Sequence, residues 1–225
     1  MFHRSIRRLV LVFFGVAGLA LSAPAAAVEA QANETTDCET ASAYGGGAVG
    51  CYWLASSNLG PMPSQIYWLI DRFPDAASAE AARTLYGTVT VGLGGQVFLQ
   101  TVTDNPSFAA EGGERVAAIG PLAVPTGPDL IARFMEVTLP ASVSAYPPTP
   151  DGTEAVYVVS GSICVETPAG LQTSQDGMMV FPAGVPRRIE GRSGGARALT
   201  LVVHRSGESW ADKRRQWQPS GLCGD

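Results

Sequence analysis

Along this chain apolar residues gather in short runs or alternate with polar ones, and glycine and proline interrupt them at close intervals. Gln65 to Phe73 (QIYWLIDRF) is aromatic and β-branched and predicts a strand. Pro74 and Asp75 then open the Ala-rich stretch AASAEAARTLY, with Asp75 placed as an N-cap and Gly87 as a stop, which predicts a helix. Thr88 to Val102 (TVTVGLGGQVFLQTV) holds two β-rich runs around Gly92, Gly94 and Gly95 and predicts a hairpin. Glu114 to Ile119 predicts a further short strand. Pro121, Pro125 and Pro128 mark a junction, and a boundary between sub-regions falls near Gly127.

From Asp129 onward strand patterns follow one another closely. Leu130 to Leu139 is one, Glu154 to Ser160 (EAVYVVS) a second, and Ser162 to Glu166 (SICVE) a third, parted from the second by Gly161 as a tight turn. Leu171 to Ser174 is short. Met178 to Phe181 (MMVF) ends at Pro182, and Ala198 to His204 (ALTLVVH) is the last. Short strands at regular spacing with Gly and Pro turns argue for a sandwich or barrel. The fold class expected is therefore mainly β: a jelly-roll barrel over residues 128–205, with an N-terminal α+β extension over 65–127 that contains one helix. Residues 28–64, rich in Ala, Ser, Gly, Thr and Pro, read as a loosely ordered leader. In the tail, 206–225, a short helix capped by Ser209 is expected, with Lys213, Arg214 and Arg215 as a solvated patch.

The beginning of the chain changes the compartment. Arg4, Arg7 and Arg8 precede the apolar run Leu9 to Leu21, and the small residues Ser22 to Ala27 follow. This is the pattern of a signal peptide, 1–27, cut after Ala27 or after Ala25. The run is too short for a spanning helix, so no membrane association is expected after cleavage. Fifteen Lys and Arg stand against 20 Asp and Glu, a net charge of −5 that becomes more acidic once the three leader arginines leave. Such a protein has no electrostatic footprint for nucleic acid. An exported chain with four cysteines suggests two disulfides in one of three pairings. The favoured one joins Cys38 to Cys51 across a Gly-rich loop, and Cys164 to Cys223, tying the tail to a barrel strand. No C-x-x-C is present and the spacing fits no zinc pattern.

Two stretches gain meaning when taken together. Glu154 and Gly161 are separated by six residues of a hydrophobic strand, and Gly177-Met-Met-Val-Phe-Pro182-Ala-Gly184-Val-Pro-Arg187 follows. Over about residues 129–205 this resembles the cupin superfamily, whose two motifs are G-x5-H-x-H-x3–4-E-x6-G and G-x5-P-x-G-x2-H. The second glycine spacing here is one residue short. The resemblance implies a jelly roll whose metal is held by three imidazoles and a carboxylate. With Glu154 in the glutamate position, the first two imidazoles fall on Pro148 and Pro150, or on Pro147 and Thr149, and the third falls on Arg187. None is histidine. Of the two histidines in the chain, His3 leaves with the signal peptide, so His204 is the mature protein's sole imidazole. One His and one Glu do not make a transition-metal site, and a guanidinium puts positive charge where the metal belongs.

The expectation is therefore a secreted or periplasmic cupin-domain protein with no metal and no cofactor, binding a small anionic or polar molecule or serving a structural role. Glu154 and Arg187 are candidate ligand-binding residues, or a structural ion pair at the barrel mouth. His204 joins them as a third candidate, or as a general base near Glu154. A rival reading is a dioxygenase- or isomerase-type enzyme with a metal on Asp151, Glu154 and Glu136, or with acid–base chemistry at His204. A third is an assembly module that lends an edge strand to a partner. The resemblance also implies a homodimer. No nucleophile elbow, phosphate loop, kinase or zincin motif is present.

Overall fold

A computed structural model of the chain describes residues 50–147, 149, 152–172, 177–207 and 217–224. The expected signal peptide, Cys38, Pro148, Pro150, Asp151 and the helix expected from Ser209 lie outside these residues. The alternating patterns assemble into two antiparallel sheets, and the fold is mainly β with one short α-helix among the described residues. The larger sheet runs in the order β1 (Gly50–Gly60), β6 (Leu130–Leu139), β11 (Arg188–Arg205), β8 (Thr153–Thr167), β10 (Met178–Phe181). Two short strands join it, β7 (Ser144–Ala145) beside β11 and β9 (Gly170–Gln172) beside β8. The smaller sheet runs β3 (Gly87–Val91), β4 (Val97–Thr103), β2 (Gln65–Phe73), β5 (Glu114–Ala123).

Period-two alternation gives each strand of the larger sheet two faces. Leu130, Ala132 and Phe134 of β6 share one face with Leu199, Leu201 and Val203 of β11 and Ala155 of β8. These pack against Ile66, Trp68, Ile70, Phe98, Val102, Ile119 and Leu122 of the smaller sheet to make the main core. The opposite face of the larger sheet carries a second core of Val156, Val165, Met179, Phe181, Ile189 and Ala198. Val165 and Ile189 belong to the far halves of β8 and β11, so the two long strands curl and close over their own inner face.

Four expectations need correction. The strand β1 occupies residues assigned to the loose leader; its Cys-Tyr-Trp-Leu start pairs with β6 from Gly50↔Thr138 to Gly60↔Leu130. The helix, α1 (Ala76–Ala81), is about half the expected length. Asp75 caps it as expected, accepting from the Ser78 backbone N–H at 2.8 Å. Only Ala79 is buried, so a longer helix would have nothing to bury, and Leu85 beyond it is 81% exposed. Gly161 is not a hairpin turn. The strand β8 runs straight through it, pairing with β11 on both sides. The register slips between Val158 and Ser160, and Gly161 takes φ 74°, which is a bulge rather than a reversal. A Cβ there would collide with the Gly195 carbonyl oxygen. Finally, β11 begins at Arg188, ten residues before the expected Ala198, because its first half (RIEGRSGGAR) is too charged and glycine-rich to read as a strand.

Candidate functional site

Glu154 lies on β8 on the inner face of the larger sheet, opposite Val202 of β11 and Phe181 of β10. Arg187 follows the Pro182–Gly184 corner and returns over the same face. Its Nη2 donates to Glu154 Oε2, and its guanidinium lies 5.2 Å from the centroid of the Phe181 ring. Arg187 is 5% and Glu154 6% exposed, so this is a buried ion pair and not one at an open mouth. Burial pushes the Glu154 carboxyl above its ordinary value, and the Arg187 charge acts against that push. With each charge meeting the other, neither is presented to solvent as a ready hook for a ligand.

His204 is two residues beyond Val202 on β11 and so shares the inner face with Glu154. It is 1% exposed. Its Nδ1 lies 2.8 Å from the Arg205 carbonyl oxygen, which accepts only, so Nδ1 carries the hydrogen. The Nε2 lone pair then accepts from Arg133 Nε at 2.7 Å. That is a neutral imidazole with both nitrogens engaged, an arrangement that leaves neither for general-base work or metal ligation. Arg133 in turn stacks 4.4 Å over the Trp53 ring of β1. Sequence reasoning missed Arg133 and Trp53; the one signal was Arg133 itself, a charge in the alternating pattern of β6 with no partner visible in the linear sequence.

The rival reading groups Glu136 with Asp151 and Glu154 as a ligand set. Glu136 faces the other way. Glu136 pairs with Leu199, a main-core residue, whereas Glu154 pairs with Val202, three residues along the same strand and therefore on the opposite face. Asp151 lies outside the described residues. The Glu136 carboxylate accepts from Arg197 Nε and from the Leu93 backbone N–H, both at 2.7 Å. It pins the tip of the β3–β4 hairpin to the larger sheet. A Cβ at Gly92 would come within 2.8 Å of Glu136 Oε2, so the carboxylate would have to shift to admit a side chain there.

A third polar cluster sits on the outer side of the curled strands. Arg188 Nη2 bonds Glu190, Arg188 Nη1 is 3.7 Å from Glu166, and Ser144 Oγ donates to Glu190 at 2.9 Å. Beside it Cys164 is joined to Cys223, the favoured pairing, across 59 residues of chain. Cys51 is also in a disulfide, while Cys38 lies outside the described residues. The Cys51 sulfur is 4.0 Å from Met135 Sδ, a packing contact, since a disulfide sulfur has no hydrogen to donate.

The metal of the cupin resemblance can now be tested against these residues. Among the described residues no group of three or more His, Cys, Asp or Glu is arranged to hold an ion. The carboxylate that should bind it is held by a guanidinium, and the His204 imidazole is held by another. The donor set does not fit a metal.

No family model and no curated protein matches the chain. Solved structures similar to it include proteins described as cupin domains. A cupin 2 conserved barrel domain protein from Leptotrichia buccalis is 13% identical over 69% of this chain and 83% of its own, with a TM-score of 0.31. A cupin 2 domain-containing protein from Halorhodospira halophila is 14% identical over 40% of this chain and 61% of its own, at 0.30. The DMSP lyase DddQ from Ruegeria pomeroyi is 19% identical over 37% of this chain and 44% of its own, at 0.31. The chain thus spans less than two thirds of the last two, and likeness at this level carries nothing about substrate or chemistry.

Proposed function

We propose that this chain is an exported, metal-free cupin-type protein with a structural or binding role and no catalytic centre in its barrel. The observation that carries the reading is the buried Glu154–Arg187 pair, which fills with the protein's own charges the place where the family motif would hold a metal. Export is supported by the n-region, apolar run and small residues at 1–27 and by a disulfide tying Cys164 to Cys223. Among the described residues no helix is long and apolar enough to cross a membrane. A small polar or anionic ligand remains part of the reading only where it could displace one partner of the pair, because both charges are already met.

Elemental analysis of the purified, processed protein tests this. Iron, manganese, nickel, copper and zinc are expected well below stoichiometric amounts, before and after incubation with each metal. A stoichiometric ion that disappears in Glu154→Ala would end the proposal and restore the enzyme reading.

A further inference from the structure

The C-terminal segment 217–224 touches the barrel in an unusual way. Of its side chains only Cys223 is buried; Gln218, Ser220, Gly221 and Leu222 are exposed and Trp217 and Pro219 are half-buried. Among the described residues three hydrogen bonds hold its backbone. The two oxygens of Glu166 accept from the N–H groups of Ser220 and Leu222, and Arg192 Nη1 donates to the Cys223 carbonyl at 2.7 Å. The Cys164–Cys223 bond completes the attachment. The barrel core beneath, from Leu139 to Ala198, takes no residue from this segment.

Ordering a stretch of backbone costs entropy for every residue fixed, and three hydrogen bonds exchanged against water return less than that. Apolar burial, which normally closes such a gap, is complete only at Cys223 and partial at Trp217 and Pro219. The covalent bond therefore decides whether the segment stays down. The barrel's core cluster and the β8–β11 ladder contain no residue of the segment. We infer that residues 217–224 form a redox-released strap: reduction of Cys164–Cys223 frees the segment as a unit, leaves the barrel folded, and uncovers the Glu166 carboxylate that its N–H groups now cover. The step is thiol–disulfide exchange with a dithiol. The dithiol closes to its own disulfide, and Cys164 and Cys223 each leave as a thiol, having taken one electron and one proton apiece.

Amide hydrogen exchange on the full processed chain tests the strap. The Cys164→Ser/Cys223→Ser variant removes this bond and leaves the disulfide of Cys51 intact, which a chemical reductant would not. Exchange at Ser220 and Leu222 is expected to rise by about a hundredfold over the oxidised protein. Amides of Leu199, Leu201 and Val203 should keep their protection. Glu166→Gln with the disulfide intact should leave the strap in place and raise its exchange only slightly. Strap amides that stay protected in the double variant would overturn the inference, since hydrogen bonds alone would then hold the segment. Loss of protection at both strap and core would overturn it too, because the bond would then be a staple of the whole fold.

Discussion

The two faces of the larger sheet are made by alternate residues of the same strands, yet they are stabilised in opposite ways. Toward the smaller sheet, β11 presents Leu199, Leu201 and Val203 to a large apolar cluster, with the buried Glu136 and Gln100 beside it. Toward its own curled interior it presents Thr200, Val202 and His204, in company with Glu154, Arg187 and Arg133. An apolar layer loses stability in proportion to the atoms removed. A buried charge pair, such as the one set beside the apolar residues of the inner face, is indifferent to losing both members and intolerant of losing one. The comparison shows which face tolerates change in which currency, and four experiments would break it or sharpen it.

The largest effect is expected from stranding Arg187. Glu154→Leu should lower unfolding free energy by about 3–5 kcal/mol, while Glu154→Leu/Arg187→Met should return to wild type or above it. Urea melts of both variants decide the matter, and a double variant as weak as the single one would mean the pair contributes more than mutual neutralisation. On the apolar face Leu201→Ala should cost about 2–5 kcal/mol, with no second substitution able to rescue it by charge. At the hairpin tip Glu136→Gln weakens the hold on Arg197 and Leu93; a loss of about 1–3 kcal/mol is expected, with exchange at the Leu93 amide rising first.

The smallest expected effect is a dependence on pH. Burial raises the folded-state value of Glu154, so the native protein keeps that proton where the unfolded chain has lost it. Its contribution to stability is present below the ordinary carboxylate range and is lost as pH rises toward the folded value. Urea midpoints followed upward through that range should fall, and the slope should vanish in Glu154→Leu/Arg187→Met. Asp75 has the opposite sign. Accepting the Ser78 N–H holds it below its ordinary value, so its cap weakens only as pH falls through that lowered range.

Much of this was legible in the sequence, and the failures have physical causes. The strands β2, β6 and β10 stand where their patterns put them, since each is a short apolar run closed by Pro or Gly. The closeness of Glu154 and Arg187 was implied by the cupin resemblance, but their burial was not, because depth depends on how β8 and β11 curl. Arg133, Trp53 and Arg197 went unread for a related reason. Their partners lie between 61 and 80 positions away, and strand register, which no local pattern encodes, brings them together. The first half of β11 was hidden by its own chemistry: Arg188 and Glu190 face the outside of the curl and gave that stretch the look of a loop.

The slip in β8 has one more consequence. Inward-pointing residues are even-numbered before it, at Glu154, Val156 and Val158, and odd-numbered after it, at Ile163 and Val165. A single inserted position changes the parity of the strand. Without it Cys164 would be turned into the greasy interior, Val165 would be left on the outside, and Cys223 would meet no sulfur. Deleting Val159 should therefore yield a chain that cannot fasten its own end, though every residue that does the fastening is still there.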